Sequence, residues 1–151
     1  MSNPLLIPTP SHGVPNFPAI KPGDFASAFD AAFTAHDLEI TAIIDHPEPA
    51  DFSNTIEALE RAGALLDSVS SIFFNLISAH TNDALQALDL DIAPRCALHD
   101  SRIFANPALF AKVEKVNSSE LQLTGEQSLL LENTYRHFIR AGAALEEDGR
   151  Q

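Results

Sequence analysis

Six histidines (His12, His36, His46, His80, His99 and His137) and a single cysteine, Cys96, are the side chains here best suited to hold a metal or move a proton. Zinc-dependent hydrolysis on a helix needs two His four residues apart, so that both rings leave one face, with a Glu beside the first as base. No two of these His stand three or four apart, and the sequence contains no His-Glu-x-x-His. It also lacks a Gly-x-Ser-x-Gly elbow, a Gly-x-x-x-x-Gly-Lys phosphate loop and a Cys-x-x-Cys pair. His36-Asp37 and His99-Asp100 pair an acid with a base, but adjacent helical residues diverge by about 100° and cannot address one atom. They read as surface or packing groups, and His36 as a core or groove histidine. Glu57, Glu60, Glu146 and Glu147 read as solvated or capping carboxylates. The sequence therefore offers no catalytic, cofactor-binding or metal-ligating residue.

The residues do describe a scaffold. The chain has 151 residues, a hydrophobic fraction of 45% and a mean hydropathy of −0.01, which suits one folded domain rather than disorder. The net charge is −12, from 21 acidic and nine basic residues. Such a surface repels phosphate backbones and anionic lipid, so neither nucleic acid nor membrane is an expected partner. No run of about 18 apolar residues suggests a membrane span, and Met1 to Pro8 lack the basic start and apolar core of a signal peptide. A cytoplasmic location is expected. Cys96, alone and in apolar surroundings, reads as a buried structural thiol.

The elements centre on 54–86. Ile56, Leu59, Leu66, Val69, Ile72, Phe73, Leu76 and Ile77 recur at three- and four-residue steps, which predicts one helical face. Asn54 is the expected cap, with Glu57 completing the box, and a helix from Thr55 to Ser78 would be about 36 Å long. Before it, residues 1–22 carry six of the ten prolines and read as an extended, proline-rich arm. Asp24 is the expected cap of a helix reaching about Asp45, with Phe25, Phe29, Ala32, Phe33, Ile40, Ile43 and Ile44 as its stripe. His46-Pro47-Glu48-Pro49 breaks that helix.

After it, a third helix starts near 81–83 and carries Leu85, Leu88, Ile92, Leu98 and Ile103, with a kink or short break expected at Pro94. Asn106-Pro107 opens a short helix facing Leu109, Phe110, Val113 and Val116 inward. Asn117-Ser118-Ser119 matches a glycosylation acceptor by chance. Thr124 and Gln127 form a capping box for a last helix, whose apolar surface runs from Leu129 through Tyr135, Phe138 and Ile139 to Leu145. The expected architecture is all-α: about five helices, packed largely antiparallel, over 23–151 behind the arm at 1–22.

Two runs carry a resemblance. Phe52-Ser53-Asn54-Thr55-Ile56-Glu57-Ala58-Leu59-Glu60 and Ala79-His80-Thr81-Asn82-Asp83 are similar to the N-terminal part of the bacterial peptidyl-dipeptidases, in the thimet-oligopeptidase family of zinc metallopeptidases. Asn3-Pro4-Leu5-Leu6, Phe25, Ala28-Phe29-Asp30, Asn106, Leu109-Phe110-Ala111, Val113, Ala141-Gly142-Ala143 and Leu145 extend it in order along nearly the whole chain. The 79–83 run, with Phe73-Phe74, favours the peptidyl-dipeptidase branch over oligopeptidase A.

The resemblance implies a parent several times longer, mostly helical, with a deep channel between two lobes. It also implies zinc in that parent, held by His-Glu-x-x-His and a further Glu in its C-terminal half. None of those positions is in this chain, so no catalytic or metal residue is carried over, and zinc is expected in the full-length parent only. Such enzymes remove dipeptides from the free C-terminus of oligopeptides with zinc-activated water and a Glu base. This chain would supply N-terminal helices of the lobe that restricts access to the channel, without being catalytic alone. The alternative is a free-standing helical module that binds a peptide or protein.

Overall fold

A computed structural model describes residues 3–7 and 14–143. The described residues form helices and turns, with no strand among them. Five long helices carry the chain, as the periodicity predicts: α1 Pro22–Ile44, α3 Ala64–His80, α4 Asp83–Phe104, α5 Pro107–Asn117 and α6 Gly125–Arg140. Between α1 and α3 lie a π-helical turn, Phe52–Glu57, and a single turn of α-helix, α2, Ala58–Arg61.

The predicted continuous helix from Thr55 to Ser78 is therefore two pieces. Ala62 N–H donates back to Ala58 and Leu59 carbonyls, closing α2, and Gly63 follows at φ 82°. A left-handed glycine just past a helix end is the usual stop, because only glycine reaches that conformation without Cβ strain. The Gly63 carbonyl then accepts from Asp67 N–H and starts α3. The start also differs from expectation. Asp51 is the cap, its carboxylate accepting from Asn54 N–H at 2.7 Å while Asn54 Oδ1 accepts from Asp51 N–H at 2.9 Å. The cap moved three residues upstream because Asn54 can fill the reciprocal position of the box as well as Glu does. Glu57 instead accepts from Ser53 Oγ at 3.0 Å and faces Arg61 at 3.8 Å.

Phe52–His80 is, by length and composition, apolar enough to cross a membrane, contrary to the expectation that no stretch of the chain is. The stretch is interrupted at Gly63, and its buried Ile56, Val69, Ile72 and Phe73 pack against other parts of the protein.

Three smaller expectations shift. Pro22 opens α1, and Asp24 sits in its first turn, accepting from Lys21 N–H at 2.8 Å rather than standing outside as the cap. α4 runs through Pro94 without a break, since Pro94 and Leu90, whose carbonyl the proline leaves free, both lie on the exposed side. In the N-terminal arm, Pro4–Leu6 and Phe17–Ala19 are short 3-10 turns rather than extended chain. Pro8, Pro10 and His12, and the C-terminal Leu145, Glu146 and Glu147, lie outside the described residues.

The contacts gather in two compact units: Met1–Asp37 with Gly63–Ala97, and Leu38–Ala62 with Leu98–Gln151. The first is built on an aromatic cluster. Phe73 meets the Phe25 ring at 5.0 Å and the Phe29 ring at 5.4 Å, both edge to face, with Val69 and Ile92 fully buried around them. Leu5 adds to this core, and Asn3 Nδ2 ties its segment to α1 by donating to the Asp24 carbonyl at 2.7 Å.

The second unit packs Ile56, Leu109, Val113 and Val116 around Phe138, whose ring lies 5.0 Å from Phe104 and 5.9 Å from Phe110. Both caps expected here are made. Asn106 Oδ1 accepts from Ala108 and Leu109 N–H, and Thr124 and Gln127 exchange their bonds at 3.0 and 3.3 Å. Thr124→Ala should cost about 1 kcal/mol of stability, read as a shift of the urea midpoint. A midpoint equal to wild type would show that the box contributes nothing to holding α6.

Candidate functional site

The second unit contains an open groove of about 650 Å³, within the size range of small-ligand sites. It forms where α1 ends and the chain turns through His46-Pro47-Glu48-Pro49 into the 52–61 segment. Its walls combine apolar Ala42, Ile43, Ala58 and Ala62 with Glu39, His46, Glu48, Asp51 and Arg61. Sequence reading marked this turn but not a groove. The signal was the density of polar residues beside two prolines that force the chain around.

Most of the polar wall is committed to holding the turn. Asp51 caps the next segment, and Asn54 Nδ2 donates to the Pro49 carbonyl at 2.9 Å. His46 Nδ1 accepts from Glu48 N–H at 3.3 Å, which puts the proton of the neutral ring on Nε2. Lys112 Nζ donates to the His46 carbonyl at 3.2 Å. The hydroxyl of Ser53 donates to the Glu57 carboxylate at 3.0 Å. The groove can accommodate a ligand by shape.

The described histidines lie in separate surroundings. His36 lies over Gly63, where an added Cβ would come within 2.9 Å of its ring, in keeping with a groove histidine. His80 is exposed in the last turn of α3. His99 is buried, with Arg102 Nη2 at 3.3 Å from its Nδ1. His137 stacks on Phe104 at 3.8 Å between ring centres. Among the described residues no group of three or more His, Cys, Asp or Glu could hold a metal ion.

Two groups have displaced proton affinities, and neither suggests catalysis. Arg95 is held protonated chiefly by its hydrogen bond to Asp30, with Asp91 at 3.3 Å assisting, and its guanidinium lies 5.2 Å from the centre of the Phe33 ring. Burial pushes the Cys96 thiol above its ordinary range, against smaller opposing effects of Arg95 and a hydrogen bond from Ser70. A raised thiol is mostly protonated at neutral pH and unreactive. Alkylation of Cys96 by iodoacetamide should therefore lag behind that of the urea-unfolded chain, the gap closing only as the pH rises above the usual thiol range. Equal rates at pH 7.5 would show Cys96 to be an accessible, ordinary thiol.

Fold and site together define a helical scaffold whose polar groups hold turns and helix ends. No family model matches the chain. Among curated proteins it is similar to the dipeptidyl carboxypeptidase of Salmonella typhimurium (strain LT2), 40% identical over 152 residues that make up 99% of this chain and 22% of that protein. It is likewise similar to the dipeptidyl carboxypeptidase of Escherichia coli (strain K12), 39% identical over 146 residues, 95% of this chain and 21% of that protein. The resemblance read from the sequence is thus to homologous proteins carrying that name. The chain spans about a fifth of the length of the curated relatives it matches.

Proposed function

We propose that this chain is the N-terminal helical part of a longer, zinc-dependent peptidyl-dipeptidase that removes dipeptides from the C-terminus of oligopeptides. Within that protein the helices form part of the lobe that restricts access to the substrate channel. The observation that carries this reading is the match itself: end to end in this chain, at about 40% identity, yet only about a fifth of each relative. Among the described residues no group of donors fits a zinc site. Zinc and its ligands belong to the remainder, and oligopeptide is the partner of the whole protein.

The test is dipeptide release from an N-blocked oligopeptide, followed by mass spectrometry, for the 151-residue chain and for the whole product of its source gene. The whole product should release C-terminal dipeptides and lose that activity with a zinc chelator, while the chain alone releases none. Release by the chain alone, or none by the whole product supplied with zinc, would overturn the proposal.

A further inference from the structure

α4 is apolar on two sides. Leu85 and Ile92 point into the first unit's core and are buried. Opposite them Ala87, Leu90, Pro94, Ala97, Leu98 and Ser101 fall within about 100° of helical arc, at the three- and four-residue steps of a helix-packing seam. All six are exposed, and Leu90 at 82% and Leu98 at 72% are more exposed than any other large apolar residue described. A surface helix normally turns charged residues to the solvent on that side. From Ala87 to Ser101 the stripe contains none, and Asp83 at the start of α4 is the one charged residue on its line. Ala87 and Ala97 leave its surface low, so a second helix can come close against it.

We propose that this outer face of α4 is the seat of an amphipathic helix from the part of the longer protein that has no counterpart in this chain. The inference rests on the reading above, in which roughly four-fifths of the parent lies outside these 151 residues. That remainder supplies the occupant. A second copy of this chain is disfavoured because each carries a net charge of −12, and two such surfaces repel. Between Ala87 and Ser101 the seam is charge-free and leucine-centred, so the partner helix presents leucine-type side chains at heptad spacing to Leu90 and Leu98.

Leu90→Cys gives a reporter that leaves the fold undisturbed, because the side chain touches solvent. The variant is made in the 151-residue chain and in the whole gene product, and both are labelled with a maleimide. Trypsin cutting after Arg95 separates the reporter from Cys96, so each is read by mass. Labelling at position 90 should be fast in the chain and at least about tenfold slower in the whole product, as for a side chain that reacts only when a packed contact opens. Equal, fast labelling in a longer product that still releases dipeptides would overturn the docking face and leave the proposed function standing. Slow labelling in the short chain, with the chain sedimenting as a dimer, would overturn it in favour of a second copy. A gene product ending near Gln151 would remove both proposals together.

Discussion

Phe73→Ala should lower the stability of the chain by about 3–5 kcal/mol, the range for emptying a buried aromatic site. Phe73 is fully buried and is the common partner of the Phe25 and Phe29 rings, each held edge to face. Truncation removes the apolar area of the ring, the two aromatic contacts, and the packing of Val69 and Ile92 that surrounds them. α1 and α3 cannot close the gap, because both are anchored elsewhere along their length by buried residues such as Ala32 and Ile72. Phe74, one position on, is 37% exposed and should tolerate the same change with a much smaller loss. Urea unfolding followed by circular dichroism reads both. A Phe73→Ala midpoint equal to wild type would mean the aromatic cluster is not the core of this unit.

Gly63→Ala should also destabilise, by about 1–2 kcal/mol for the backbone alone, the cost of placing an L-residue in the left-handed region. The packing adds to this. A Cβ on Gly63 would stand 2.9 Å from His36 Cε1 and 3.1 Å from both ring nitrogens, so the imidazole must turn out of its place over the glycine. The competing expectation has the opposite sign. Ala favours helix over Gly by nearly 1 kcal/mol, so if the break were only a weak point, Ala would join α2 to α3 and stabilise the chain. A raised melting temperature with increased helicity would establish that outcome and refute a packing-imposed break.

That pair of residues shows what the sequence could and could not disclose. The apolar steps from Ile56 to Ile77 are helical on both sides of Gly63, so periodicity alone ran straight through it. What stops the helix is Gly63 itself, at φ 82°, with the His36 ring, from 27 positions earlier, standing where a Cβ would be. The caps at Asn106 and Thr124 were legible because each is settled within three residues. The cap at 51–54 was misplaced for the same local reason: Asp51 and Asn54 are both good capping residues, and only the tertiary path of the preceding proline turn chooses between them.

The outward leucines follow the same logic. Leu98 has the right type and step for a core position, yet it is 72% exposed. Leu129 and Ile139 of α6, predicted to share its apolar surface, are 57% and 40% exposed, while Leu131 and Phe138 are buried. A hydrophobic pattern reports how much apolar surface must be covered, not which element covers it. The groove beneath 46–51 was illegible for a related reason. It depends on how a turn closes against Ala58 and Ala62.

The intact mass of the native gene product in its source cells tests the central claim most directly. A helical part of a peptidyl-dipeptidase predicts a product of several times 16.3 kDa, in line with relatives of which this chain covers about a fifth. A product near 16.3 kDa would contradict it. The cell would then be using these helices alone, as a binding module, and the groove lined by Glu39, His46 and Asp51 would be the first place to seek its ligand.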